Sequence, residues 1–399
     1  MKPIYLDNAA STEIDKSVKE EMQKCEEIYF NPSSFHDLGS EAKSILDNCR
    51  QKAAEILNCK SQEIIFTSGG TESINLAIKG AAFANKSKGN HIITSKIEHH
   101  AVLNTCKYLE KQGFKVTYLD VDKYGLVDLE KLKKEITKDT ILISIIYANN
   151  EIGTIQNISE IGTIAKEKNI IFHTDACQAY LLELDVNKLN CSLLTLNSIK
   201  IHGPKGSGLL YKRQGTRLEP LIHGGEQEFN LRSGTENLQA IIGFVKALEI
   251  SQENKNEIIK YLSKLQNKLL NGLLKIPDTK LNGPISGGIG TLGSDYKSLL
   301  RLPNNVNISF KNLESETLIL HLNDNNIYVS SGSACSSSKL SVSHVIKALS
   351  ITENYARGTL RFTLSKFNTE EEIDFVIKKA TEIIENLRKN KLGVLLERV

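Results

Sequence analysis

Two side chains of opposite charge, each just past an apolar run, are the first sign of chemistry in this chain. The run Ile170 to Phe172 leads to Asp175, and the run Leu193 to Leu196 leads to Lys200. A glycine-rich turn, Gly203-Pro204-Lys205-Gly206, follows at once. In a parallel sheet both runs would end at the same edge, where open α/β folds bind their ligands. An amine and a carboxylate brought together there suit a pyridoxal phosphate site. The lysine would carry the cofactor as a Schiff base, and the acid would keep the pyridine nitrogen protonated. The same pair would also serve as a plain salt bridge between two strand ends.

Other stretches offer groups for the same edge. Ser68-Gly69-Gly70-Thr71-Glu72-Ser73 opens a helical pattern, and the free N–H groups of a helix start suit a phosphate. It is not a nucleotide P-loop, because the Gly-x4-Gly-Lys-Ser/Thr pattern is absent, and an ordinary strand-to-helix turn would look alike. In Glu98-His99-His100, one histidine could stack on an aromatic cofactor or move protons near neutral pH. Adjacent histidines point apart, so a shared metal is not expected; a capping or surface histidine is the other reading. Asn150, in Asn149-Asn150-Glu151, could hydrogen-bond a ring oxygen or a substrate carboxylate, and Gln178 could do likewise. The stretch 330–338, Ser-Ser-Gly-Ser-Ala-Cys-Ser-Ser-Ser, is small and polar, with Cys335 inside it. No packed core is made of this, so an exposed, travelling thiol is expected, able to carry a group between places; a cysteine stranded in a linker is the alternative. Arg361 could clamp a carboxylate with its planar fork, although an isolated arginine is more often a surface residue.

The elements that must position these residues are legible as alternation. Apolar runs at 64–67, 91–95, 116–121, 141–147, 170–174, 193–196 and 208–211 are candidate strands. Helical spacing lies between or before them at 15–29, 40–58, 71–85, 100–112, 129–136 and 159–168. Such alternation predicts one large α/β domain with a seven-stranded, mostly parallel sheet. A helix over 237–274, long or broken, leads to a smaller α+β domain with strands at 306–310 and 360–364. Thr369-Glu370-Glu371-Glu372 is a capping box opening a last helix. The expected division is 15–255 for the large domain and 1–14 plus 256–399 for the small one carrying the Cys335 stretch.

Composition removes several functions. With 50 basic and 47 acidic residues the net charge is only +3, so direct nucleic-acid binding is not expected. No apolar run is long enough to cross a bilayer. MKPIYLDNAAST lacks the apolar core of a signal peptide, so a cytoplasmic location is expected. Seven cysteines, an odd number without a C-x-x-C pair, form neither a disulfide framework nor a zinc ribbon.

Taken in order, the motifs resemble a class I cysteine desulfurase of the NifS/IscS type. They are Tyr5-Leu6-Asp7-Asn8-Ala9-Ala10, Asn31-Pro32-Ser33-Ser34, Thr67 to Ser73, Asn149 to Gly153, Asp175-Ala176-Cys177-Gln178, Gly203 to Gly206, Arg232-Ser233-Gly234-Thr235 and Ser330 to Cys335. The resemblance implies the fold type I architecture of pyridoxal-phosphate transferases in the class V aminotransferase family, and a homodimer. It implies that Lys200 holds the cofactor, Asp175 its ring nitrogen, and Asn150 and Gln178 its ring oxygen. His99 would stack on the ring. Gly70 and Thr71 would bind the phosphate, with Thr235 arriving from the partner subunit. Arg361, with Asn150 and Asn31, would hold the substrate L-cysteine. Cys335 would take the sulfur as a persulfide and pass it to an acceptor protein, such as an iron–sulfur scaffold or a transfer-RNA thiolation enzyme. No resident metal is implied, and Cys335 would meet an iron–sulfur cluster only in transit. Selenocysteine lyase and a non-catalytic sulfur-relay scaffold are the alternatives. One departure stands out: the family commonly has Ser-x-His-Lys, and this chain has Asn197-Ser198-Ile199-Lys200. Losing the histidine's charge-assisted bond to the phosphate would cost about 1.5 to 3 kcal/mol unless Asn197 or Ser198 replaces it.

Overall fold

A computed structural model describes residues 2–285, 300–332 and 342–396. The chain starts with a two-residue strand, β1 (Ile4–Tyr5), and then a helix, Lys16–Gln23, capped by Asp15. The large sheet holds β2 (Ile64–Thr67), β3 (His91–Ser95), β4 (Lys115–Leu119), β5 (Thr140–Ser144), β6 (Ile171–Asp175), β7 (Leu193–Asn197) and β8 (Gly208–Lys212). Their spatial order is β2-β8-β7-β6-β5-β3-β4. Only β8 runs against the others, so the sheet is mostly parallel, as the alternation predicts.

The residue types explain the layering. β2, β3 and β5 are buried along their whole length, and continuous apolar strands belong in a sheet covered on both faces. β4 is half-exposed and forms the edge. The helix Gly70–Ala84 packs on the sheet through Ile74, Ala77, Ile78 and Ala81. The expected helix over 237–274 is two, Leu238–Glu253 and Lys255–Leu273, breaking at Asn254. Gly243 lets the first of these approach Met22, since a Cβ there would sit 2.6 Å from its Sδ.

A smaller sheet follows: β9 (Thr279–Leu281), β10 (Asn305–Phe310) and β12 (Thr359–Thr363), antiparallel with β10 in the centre. β11 (Ile327–Tyr328) pairs with β1. The N-terminal arm then runs along β12: Asn8 Nδ2 donates to Thr363 O at 2.7 Å and Ala9 N to Thr363 Oγ1 at 2.9 Å. The last helix, Glu370–Leu396, opens with the expected reciprocal cap, Thr369 N to Glu372 Oε2 and Glu372 N to Thr369 Oγ1, both 3.2 Å. Ile373, Val376, Ala380 and Ile384 of that helix are buried in the core. Among the described residues no helix is long and apolar enough to cross a membrane.

Candidate active site

Parallel strands deliver the residues that follow them to one edge of the sheet. β2, β3, β5, β6 and β7 all end there, and a cleft of about 240 Å3 opens at their carboxyl ends. Gly70, Thr71, His99, Asn150, Asp175, Gln178, Asn197, Lys200 and Arg361, all singled out in the sequence, line it. The N-terminal arm closes one side through Ala9 and Ala10.

Lys200 Nζ donates to the carbonyls of Ala9 and Ala10 at 2.7 and 2.6 Å. Burial, aided by the nearby Arg361 charge, pushes its pKa below the ordinary lysine value. Asp175 ends β6 and is buried; its Oδ1 accepts from Cys177 N at 3.0 Å. Gln178 Nε2 donates to Ala9 O at 2.9 Å, which ties the arm to the β6 end.

His99 caps the helix His100–Lys111 by accepting from Ala101 N through Nδ1 at 3.1 Å. The neutral ring therefore carries its proton on Nε2. Burial lowers the pKa of this histidine, against the pull of the Asp175 carboxylate. Behind it, Glu98 is fully buried and burial pushes its pKa up to about 8, although Ser95 Oγ and Ile146 N both donate to Oε1.

The anion cradle is the start of the helix Gly70–Ala84. Gly69 is left-handed at φ 153, and a Cβ on Gly70 would meet Cys177 Sγ at 2.9 Å and Asn197 Nδ2 at 3.0 Å. Only glycine leaves that space open, and the helix dipole favours negative charge within it. Arg361 is 1% exposed. Its Nη2 meets Asp7 Oδ1 at 2.6 Å, Nη1 donates to Asn150 O at 3.1 Å, and the buried Nε has no partner among the described residues. A lysine, an acid, a glycine cradle at a helix start and an under-used guanidinium are the donor set that pyridoxal phosphate with an amino-acid substrate requires.

Three expected residues do not line this cleft. Ser198 turns its hydroxyl towards Gly203, where a Cβ would come within 2.3 Å of Oγ, and that buried Oγ has no partner among the described residues. The reason is the short 3-10 turn Ser198–Lys200: residues three apart eclipse, so Asn197 and Lys200 share one side and Ser198 does not. Thr235 and Asn31 are exposed and lie outside the cleft. Cys335 lies outside the described residues. Ile199 is not in the cleft either; its carbonyl accepts from Thr12 N at 3.0 Å and Thr12 Oγ1 at 2.8 Å, holding the arm. The sequence reasoning missed the Ala9 and Ala10 carbonyls, the Asp7 partner of Arg361 and the wall formed by Cys177. A cysteine is ordinarily an inert buried residue, and the small residues at 7–10 carry no sign of what they will touch.

This fold and site define a class: the fold type I architecture of the pyridoxal-phosphate enzymes. The model of one family, described as Aminotransferase class-V, matches residues 4–376. The chain is 50% identical over 389 residues to "Cysteine desulfurase IscS" of Methanosarcina thermophila, covering 97% of this chain and 93% of that protein. A solved structure described as a NifS-like protein superposes with a TM-score of 0.87 at 40% identity, covering 96% of this chain and 99% of the other. Another, "SspA in complex with cysteine", does so with a TM-score of 0.77 at 35% identity, covering 92% and 100%. The chain belongs to the aminotransferase class-V family and, within it, to the cysteine desulfurases of the NifS/IscS group, which depend on pyridoxal phosphate.

Proposed function

We propose that this chain binds pyridoxal phosphate in the cleft and uses it to take sulfur from L-cysteine, leaving L-alanine and a persulfide on Cys335. The observation that carries the reading is the convergence of Lys200, Asp175 and Arg361 on one cleft beside a glycine cradle. A structural relative described as being in complex with cysteine supports the substrate.

When bound, the cofactor supplies an electron sink for the carbons of the substrate. The chain supplies the rest. Lys200 anchors the cofactor and, with its pKa lowered, takes and returns the α-proton. Asp175 holds the ring nitrogen, and Asn150 and Gln178 the ring oxygen. Gly70, Thr71 and Asn197 hold the phosphate. Asn197 stands at the cradle, where its amide takes over the bond that Ile199 cannot make. Arg361 lines the cleft and receives the substrate carboxylate through its guanidinium. His99 lines the cleft, where it would stack on the ring, and its Nε2–H would serve as the proton shuttle for the thiols. The Cys335 thiolate attacks the substrate sulfur; the carbon–sulfur bond breaks, its electron pair stays with carbon, and protonation there completes alanine.

In this reading residues 15–255 form the cofactor domain, and 1–14 with 256–399 the domain that carries Cys335. Thr235 completes the phosphate site of a second subunit in a cytoplasmic homodimer. The persulfide goes to an acceptor protein of iron–sulfur cluster assembly or transfer-RNA thiolation. The test is incubation with cysteine, pyridoxal phosphate and a dithiol that reduces the persulfide to sulfide, assaying alanine and sulfide together. Equal yields are expected from the unsubstituted chain, and Cys335→Ser should retain the cofactor but release no sulfide. Sulfide production surviving that change would overturn the role of Cys335.

A further inference from the structure

Outside the lining of the cleft, Arg50 and Glu228 form a buried two-point ion pair, Nη1 to Oε2 at 2.7 Å and Nη2 to Oε1 at 2.8 Å. Their side chains are 7% and 1% exposed. The pair is fastened to β2: Arg50 Nη1 donates to Ile64 O and Phe66 N donates to Glu228 Oε2. The Arg50 guanidinium also lies 5.1 Å from the Phe66 ring centroid and 5.0 Å from that of Phe229.

The segment held this way is unusual. Glu228, Phe229 and Asn230 are all left-handed, with φ of 46, 58 and 61. Three consecutive non-glycine residues in that region persist only where their surroundings over-determine them. Two residues further on, Arg232 Nε donates to Glu72 Oε1 at 3.0 Å. Glu72 sits in the first turn of the helix Gly70–Ala84, and its other oxygen accepts from Ser68 N at 2.9 Å and Ser68 Oγ at 2.5 Å. The segment is thus bolted to β2 before the cradle and to the first helical turn after it.

We propose that Arg50 and Glu228 are positioning residues for the anion cradle, acting through the left-handed stretch 228–230 and the Arg232–Glu72 ion pair. This rests on the reading above, in which the cradle holds the cofactor phosphate. The pair fixes the stretch, the stretch sets where Arg232 falls, and Arg232 with Ser68 holds Glu72 so that the N–H groups of Gly70 and Thr71 stay aimed at the phosphate. A carboxylate in the first turn would otherwise be free to bend towards those N–H groups and compete with the ligand.

The experiment titrates cofactor-free full-length protein with pyridoxal phosphate and follows the absorbance of the lysine-linked form, with a thermal melt of each cofactor-free variant. Glu228→Gln at the far end and Glu72→Gln at the near end should each weaken cofactor binding by about tenfold, the loss of one charge-assisted bond. The double variant should be no weaker than the worse single one, because both cut the same line. Losses that multiply would show independent action and overturn the proposal. Arg232→Gln, at the part-exposed middle of the line, avoids an unpaired charge in the core, and an unchanged affinity there also overturns it. Unsubstituted protein that takes up no pyridoxal phosphate would overturn the function itself and this relay with it. Normal uptake with unshifted variants overturns the relay alone.

Discussion

The guanidinium of Arg361 meets the carboxylate of Asp7 at 2.6 Å, although 354 positions separate them in the chain. Asp7 takes one arm of the fork, the Asn150 carbonyl takes another, and the buried Nε–H has no partner among the described residues. The arginine is therefore aimed before any substrate arrives. Arg361→Lys should raise KM for cysteine about tenfold to hundredfold, since a point charge cannot serve three directions and a charge-assisted bond is worth about 1.5 to 3 kcal/mol. The absorbance of bound cofactor should stay unchanged. A steady-state assay beside a spectrum checks both.

Gly70→Ala should weaken cofactor binding by more than tenfold. The added methyl would lie 2.9 Å from Cys177 Sγ and 3.0 Å from Asn197 Nδ2, inside the cradle. Adding Cys177→Ala removes one of the two clashes and should recover part of the loss. Titration of the cofactor-free proteins with pyridoxal phosphate measures the difference, and a double variant no better than Gly70→Ala would contradict the geometry.

His202 offers a pH prediction with a definite sign. Burial, reinforced by the Lys366 charge, pushes its pKa from the usual 6.5 to about 4, while the Glu13 carbonyl at Nδ1 and the Asp15 carboxylate oppose that shift. The folded imidazole stays neutral while the unfolded one takes a proton below about pH 6.5. Its contribution to stability is full above pH 6.5 and is lost as the pH falls to about 4. The loss amounts to about 3 kcal/mol. His173, also brought down to about 4 by burial, adds a fall of the same sign. His202→Asn suits the left-handed backbone at this position, φ 64, and should flatten the curve between pH 6.5 and 4. Urea unfolding of both proteins across that range provides the check, and parallel curves would contradict it.

The alternation of elements was legible because it is local. Apolar runs of four to seven residues bounded by helical spacing mark strands whatever surrounds them, and all seven strands of the large sheet fall where those runs lie. Boundaries moved where polar context intervened: of the run 141–147 the strand takes in only Thr140–Ser144, and beyond it Ile146 N turns to the Glu98 carboxylate while Ile145 N and Tyr147 N still reach the carbonyls of His173 and Asp175. The 237–274 pattern divided at Asn254, whose backbone N–H caps the first helix on Ile250 O at 3.3 Å.

By itself, the sequence determined the sheet edge and most of the groups on it. In a parallel sheet the residue after each strand has only one edge to reach, so Gly70, His99, Asn150, Asp175 and Lys200 had to meet. Which way each side chain turns there was decided by the tertiary structure. A three-residue turn sent Asn197 into the cleft and Ser198 away from it. Packing of the N-terminal arm against β12 placed Asp7 on Arg361 and two carbonyls on Lys200. Such contacts join chain segments hundreds of residues apart, and no local pattern of residue types encodes them.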